Sequence, residues 1–254
     1  MRATCLQLEI HDGEMEANLA SALGLLSTAP ASDVYLLPEL LTTGYAFELW
    51  ERAADEHTPM AVERLQAAAR ERNAVIAAGT IARNEGGKLV NRHWVVRPEA
   101  IEYYDKIHLI AAFREPELLA AGDEALLTSI AGARAHVSTC FDLRFPELYR
   151  AAALDGAEVF LIISEWPSKR GEALITLARA RAMENQAYVL LCNRTGDALD
   201  GTAFDGRSRT IDPEGQVIAD AGICQGFCTA EIDSSHVRKL RAGFPVLAMS
   251  RRCW

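Results

Sequence analysis

The chain has 254 residues, half of them hydrophobic and 24% charged, with a mean hydropathy of zero, so it can bury a large core and is neither disordered nor of low complexity. Its 26 Lys and Arg against 35 Asp and Glu leave a net charge of −9, which argues against a general electrostatic grip on nucleic acid or anionic membranes. Wholly apolar runs such as Val159 to Ile163 fall far short of the ~20 residues of a membrane helix, and Glu9, His11 and Asp12 break up the start, so neither a membrane span nor an export signal is expected.

In chain order, Leu6, Leu8 and Ile10 alternate with Gln7 and Glu9, as in a half-buried strand. Met15, Leu19, Leu23 and Leu26 follow at helical spacing, with Pro30 beyond the helix end. Val34 to Leu37 reads as a short buried strand leading into Pro38-Glu39. Thr58-Pro59 offers a cap and a first-turn proline to a helix carrying Val62, Leu65 and Ala69. Val75 to Ile81 and Leu89 to Val96 are strands joined through Glu85-Gly86-Gly87. The second half alternates in the same way: a strand over Arg134 to Thr139, a helix from Pro146 to Leu154, and a continuous apolar strand over Val159 to Ile163. A helix over Gly171 to Gln186 and a strand over Tyr188 to Cys192 come next. Arg207 to Ile211 and Val217 to Ala219 then flank the turn Asp212-Pro213-Glu214-Gly215. No linker divides the chain and no repeat of fixed period is visible. One α/β layered domain spanning 1–254 is expected.

The six cysteines are Cys5, Cys140, Cys192, Cys224, Cys228 and Cys253. With an ample core and no export signal, reduced thiols in a cytoplasmic protein are the expectation. Cys224 and Cys228 stand four apart, but no second pair supplies the remaining ligands of a zinc site, so no metal is expected.

Three segments carry candidate chemistry. Val137-Ser138-Thr139-Cys140-Phe141-Asp142 runs from a strand towards a helix starting at Pro146, and a nucleophile on such a turn is exposed beside backbone N–H groups. Leu36-Leu37-Pro38-Glu39 ends a buried strand with a carboxylate, and Tyr103-Tyr104-Asp105-Lys106-Ile107-His108 sets a lysine among apolar and aromatic residues. Each has a plain structural alternative: Cys140 as a buried strand-end thiol, Glu39 as a cap or ion-pair partner, Lys106 as a solvated loop residue.

Taken together, "LLPELLTTGY", "YDKIHL" and "STCFDLRFPELYR" resemble the nitrilase superfamily of carbon–nitrogen hydrolases, in the family's order. "LARARAMENQAYVLLCNRTG" from Leu177 and "GRSRTIDPEGQVIA" from Gly206 extend the resemblance over nearly the whole chain. It implies an αββα sandwich whose dimers stack sheets into a longer body. Carried over by position, Cys140 is the nucleophile, Glu39 the general base and Lys106 the stabiliser of the tetrahedral intermediate. Glu115 stands where the family places a second glutamate, with Glu117 as a competitor, and the oxyanion hole uses the N–H of Phe141. No metal or organic cofactor is implied. The substrate is a small-molecule amide, and the apolar tail at 243–254, with Phe244, Val246, Leu247, Met249 and Trp254, implies a homodimer or higher even oligomer.

Departures bear on the substrate. The nitrile-cleaving branch tends to carry tryptophan after the nucleophile, whereas Phe141-Asp142 stands here, which favours amides over nitriles. Related amidases often read Asn-Trp-Pro where this chain has Glu165-Trp166-Pro167. Glu165, Trp166 and Tyr45 are expected to line the pocket, with core packing the alternative for Trp166. Arg170, or Lys169 beside it, is a candidate grip on a substrate carboxylate, and an exposed loop arginine is the alternative. Arg144 and Glu147 are expected to pair near the nucleophile turn, and Arg179, Arg181 and Glu184 to form ion pairs along one helix. His93, His108 and His136 are expected to be structural. ω-Amides of dicarboxylates lead as substrates, with other aliphatic amides, carbamoyl compounds and nitriles as rivals. A silent binding protein is the rival of another class.

Overall fold

The computed structural model describes residues 1–250; Cys253 and Trp254 lie outside the described residues. In chain order its strands are β1 (Arg2–Gln7), β2 (Val34–Leu36), β3 (Val75–Arg83), β4 (Leu89–Val96), β5 (Ile101–Asp105), β6 (Leu126–Ile130) and β7 (Ala133–Thr139). They continue as β8 (Val159–Ser164), β9 (Tyr188–Asn193), β10 (Thr195–Asp197), β11 (Ala203–Asp205), β12 (Arg209–Ile211), β13 (Val217–Asp220) and β14 (Gly226–Glu231). The helices are α1 (Met15–Thr28), α2 (Trp50–Arg52), α3 (Thr58–Arg72), α4 (Glu115–Leu118), α5 (Pro146–Leu154), α6 (Gly171–Asn185) and α7 (Ser234–Gly243).

Two six-stranded sheets, ordered β14-β1-β2-β3-β4-β5 and β13-β12-β9-β8-β7-β6, face each other. Between them lies an apolar layer contributed by both, with Cys5, Leu36, Ala77 and Val95 from one sheet and Val137, Leu161, Ile163 and Leu190 from the other. The outer face of the first sheet packs on α1 and α3 through Leu6, Leu19, Leu26, Leu65 and Ile76. The outer face of the second packs on α5 and α6 through Tyr149, Phe160, Ile162, Ala178 and Leu191. This is the αββα sandwich that the resemblance implied.

Both sheets share one pairing pattern. Read from β14, the first goes antiparallel, parallel, parallel, antiparallel, antiparallel. Read from β6, the second does the same. The halves thus repeat in topology without a visible sequence period. The parallel trios, β1-β2-β3 and β7-β8-β9, need crossover helices, and these form the outer layers. Loops leaving the C-terminal ends of both trios meet at one end of the sandwich.

Four expectations are corrected. β1 is buried on both faces, because the second sheet covers the side expected to meet solvent; Gln7 lies inside, its Nε2 donating to the carbonyls of Gly222 and Cys224 at 3.2 and 2.7 Å. Thr58 does not cap a helix. Helical structure begins upstream at Trp50 and runs through a wide turn over Ala53–His57, and the Thr58 hydroxyl donates to the Ile81 carbonyl at 2.6 Å. Pro59 lacks an N–H and crowds the carbonyl four residues back, which is why the wide turn precedes it. Arg144 and Glu147 make no ion pair. Phe145, extended at φ −109° and ψ 91°, separates the turn bearing Arg144 from α5, so the spacing of one continuous helix does not apply. Arg181 does pair with Glu184 at 2.8 Å, but Arg179 turns to the Gly215 carbonyl. No helix among the described residues is long and apolar enough to cross a membrane.

Candidate active site

Glu39 follows β2 and Cys140 follows β7, so both emerge at the C-terminal ends of parallel strands. The close approach at Glu39 requires Gly79 on β3: a Cβ there would stand 2.7 Å from the Glu39 Cα. Cys140 adopts φ +47°, a left-handed conformation costly for a residue with a side chain. The turn is held by Asp142, whose buried carboxylate accepts from the N–H of Thr139 at 2.9 Å, from Tyr104 Oη at 2.7 Å and from the His108 N–H at 3.0 Å. Asp142 thereby ties the Cys140 turn to the segment that carries Lys106. Arg181 fixes the far side, donating twice to the Leu143 carbonyl at 3.1 and 2.9 Å. In sequence, Asp142 carries no signal of this role, and Arg181 is expected only in an ion pair along its helix.

Lys106, Glu39 and Glu115 are all fully buried, and Lys106 Nζ donates to Glu39 Oε1 at 2.9 Å and Glu115 Oε1 at 2.8 Å. Burial works against the ammonium, but the carboxylates of Glu115 and Glu39 outweigh it and hold Lys106 charged well above the usual lysine range. Burial also raises Glu115, against the pull of Lys106. Every remaining oxygen of the two glutamates has a donor. Asn91 Nδ2 reaches Glu39 Oε1 at 2.7 Å, the Glu165 N–H reaches Glu39 Oε2 at 2.8 Å, and the Ile110 N–H reaches Glu115 Oε2 at 2.8 Å. Glu117 is exposed and pairs with Arg114, so the geometry separates it from Glu115.

Burial first, and the charge of Glu39 second, push the Cys140 thiol well up, with Lys106 opposing. The sulfur lies 3.9 Å from the Glu165 carbonyl. Phe141 lies in the first part of the short 3-10 turn Cys140–Arg144, where its N–H has no acceptor within the turn.

Cys140 opens into a cavity of about 260 Å³ lined also by Phe141, Arg144, Glu165, Trp166 and Arg170, with Ile110 to Phe113 opposite. Arg144 is half-buried, its guanidinium carbon 4.8 Å from the centre of the Trp166 ring, and Arg170 is exposed at the rim. Neither arginine has a carboxylate partner among the described residues. Lys169 does not line this cavity. Nor does Tyr45: its ring stacks on Phe113 at 4.6 Å and borders a neighbouring cavity with Asp12 and Phe204. Arg207 pairs with Asp205 and Glu172 and does not line this cavity. His93 and His136 are buried outside the cavity lining, their pKa values lowered by burial to about 3 and about 4.

A family model for carbon-nitrogen hydrolases matches residues 2–242. The chain belongs to the carbon-nitrogen hydrolase family. A 2-oxoglutaramate amidase of Bacillus subtilis is 35% identical over 246 residues, covering 96% of this chain and 95% of the relative. The omega-amidase YafV of Escherichia coli K12 is 34% identical, with 96% and 94% covered. Among solved structures, a CN-hydrolase superfamily protein of Xanthomonas campestris with an arsenic adduct in its active site superposes with a TM-score of 0.94 at 30% identity, covering 100% of this chain and 98% of that one. This carbon-nitrogen hydrolase is an enzyme of the amidase type.

Proposed function

We propose that the enzyme hydrolyses the ω-amide of a small dicarboxylate to the free acid and ammonia through a thioester on Cys140. The observation that carries this reading is the meeting, at one cavity, of Cys140 beside the Glu39–Lys106–Glu115 cluster with two arginines, Arg144 and Arg170, that have no carboxylate partner among the described residues. The names of the two amidase relatives support the same substrate class.

The steps follow from the groups present. Glu39 takes the Cys140 proton as Sγ attacks the amide carbon, and the oxygen that gains charge is met by Lys106 Nζ and the Phe141 N–H. As the C–N bond breaks, Glu39 returns the proton to the departing ammonia. Water then gives a proton to Glu39 and attacks the thioester; the C–S bond breaks and the thiol is restored by that proton. Glu115 holds Lys106 in place and shares its charge. No step calls for a metal or organic cofactor. Trp166 and Phe141 give the acyl chain apolar walls, and the arginines receive its carboxylate.

We further infer a homodimer or higher even oligomer in the cytoplasm. Phe244 and Met249 are 67% and 76% exposed at the end of the described chain, an apolar pair suited to a partner surface. Light scattering at micromolar concentration tests assembly, and a mass near 27.8 kDa rejects it. For the reaction, a screen of ω-amides, neutral aliphatic amides, carbamoyl compounds and nitriles reads released ammonia, with intact mass reporting the acyl adduct. ω-Amides of dicarboxylates are expected to lead. Preference for nitriles, or no adduct on Cys140, overturns the reading.

A further inference from the structure

Beside the catalytic cluster lies a second buried cation shared by two carboxylates. Arg194 is fully buried; its Nη1 stands 2.8 Å from Asp12 Oδ1 and 3.1 Å from Glu165 Oε2. Its other donors go to the carbonyls of Ile10 and Thr195. Asp12 has the shorter contact and a further donor in the Leu199 N–H at 3.2 Å. One positive charge cannot fully compensate two carboxylates, and Glu165 is the less well held. Its Oε1 is buried and has no partner in the protein, while its own N–H is spent on the Glu39 carboxylate. Glu165 also lines the Cys140 cavity.

We propose that Glu165 is a specificity-setting residue: it stands in the cavity wall as a neutral acid, sharing Arg194 with Asp12, so that Arg144 and Arg170 set the cavity's charge. The neutral state removes a buried negative charge that would oppose a carboxylate ligand. The inference rests on the amidase reading above for the identity of that ligand. The charged and titratable groups facing Glu165 are Arg194 and Asp12 on one side and Glu39, Cys140 and Tyr45 on the other, with Lys106 and Glu115 beyond Glu39 and Arg144 and Arg170 across the cavity. Burial is the main cause that pushes the Glu165 carboxyl up to about 8; Arg194 pulls it down, and Glu39 and Asp12 push it further up. Above that pH the residue ionises, and the cavity loses its preference for anions.

The test uses two alkylating reagents that differ in charge, iodoacetate and iodoacetamide, with modification of Cys140 followed by peptide mass. In each reaction the C–I bond breaks, the Sγ–C bond forms, iodide leaves, and the thiol proton passes to Glu39 or solvent. Ionisation of Cys140 affects both rates equally and cancels in their ratio. In the unaltered enzyme the iodoacetate-to-iodoacetamide ratio is expected to fall roughly 5- to 50-fold between pH 7 and 9.5, the size of one unit charge acting across a few ångströms of partly screened protein. In Glu165→Gln the ratio stays constant. A constant ratio in the unaltered enzyme overturns the proposal without any variant, and so does a parallel fall in Glu165→Gln. If that variant fails to fold, Glu165→Asn serves in its place. Neither rate requires amide turnover, so absent ammonia release would defeat the proposed reaction while the ratio still reads the charge of Glu165.

Discussion

Two buried clusters of the same composition, one cation between two carboxylates, sit side by side in this sandwich. Lys106 serves Glu39 and Glu115; Arg194 serves Asp12 and Glu165. The parallel goes further, because Glu39 and Glu165 both follow the middle strand of a parallel trio, β2 in one sheet and β8 in the other. What separates them is satisfaction of their oxygens. In the Lys106 cluster each carboxylate oxygen has a donor, so the groups are fixed before any substrate binds, as electrostatic stabilisation of a transition state requires. In the Arg194 cluster one oxygen of Glu165 is buried without a partner in the protein. The first arrangement is suited to chemistry, the second to selection.

The strongest test of that division removes the group the Lys106 cluster serves. Cys140→Ala should leave a folded protein, checked by circular dichroism, that releases no ammonia, because no other group can form the thioester. Near-normal turnover would end the mechanism. Cys192→Ala should keep most activity, since Cys192 Sγ is buried against the carbonyls of Leu6 and Leu36, away from the cavity.

Next in size, Glu39→Gln and Lys106→Met should each lower kcat by roughly 10²–10⁴-fold, the range for lost acid–base or oxyanion groups. Their combined loss should fall well short of the product of the two, because both act in the same step. A change in KM alone for Lys106→Met would assign it to ground-state binding instead.

Breaking the other cluster should look different. Arg194→Met leaves Asp12 without its countercharge and Glu165 Oε2 without its donor, and should cost about 3–5 kcal/mol of stability, read from urea unfolding. Lys106→Met should destabilise by a similar amount, so the contrast lies in turnover: at a temperature where both variants are folded, kcat should fall far less in Arg194→Met. Equal losses of kcat would mean that the two clusters work as one.

The sequence exposed one cluster and hid the other for a physical reason. Glu39, Lys106 and Cys140 each stand in a local run whose pattern ties a chemical group to a strand end or turn, those runs are what the family resemblance rests on, and Glu115 follows from the resemblance by position. Asp12 and Arg194 meet across 182 positions of sequence, through the packing of one sheet on the other, and neither stands in a run that signals a partner. The same limit explains the missed elements. β5 and β14 are edge strands with mostly exposed or half-exposed residues, so their apolar alternation is faint. It also explains Arg144, read as the partner of Glu147 from spacing alone, whereas the extended Phe145 turns it into the cavity. Continuous buried strands such as β8 and β9 were legible because both of their faces are covered.

The smallest effect concerns how the cavity selects its ligand. Arg170 sits at the rim with its backbone carbonyl held by Trp166 Nε1 at 2.9 Å, so the chain is anchored while the guanidinium remains free of carboxylates among the described residues. Arg144 lies deeper, packed over the Trp166 ring. A guanidinium can hold a carboxylate through two parallel hydrogen bonds, which an ammonium on Lys169, outside the cavity lining, does not reproduce. A hydrogen bond to a charged group is worth about 1.5–3 kcal/mol, so Arg170→Met should lower kcat/KM for carboxylate-bearing amides by roughly 10- to 150-fold while sparing neutral amides of the same length. Arg144→Met should act in the same direction, with an added loss on neutral amides because it also removes a packing surface from Trp166. Equal effects of Arg170→Met on acidic and neutral amides would take the rim arginine out of substrate recognition and leave Arg144 as the sole anchor, which would place the substrate carboxylate deeper in the cavity and require a shorter acyl chain.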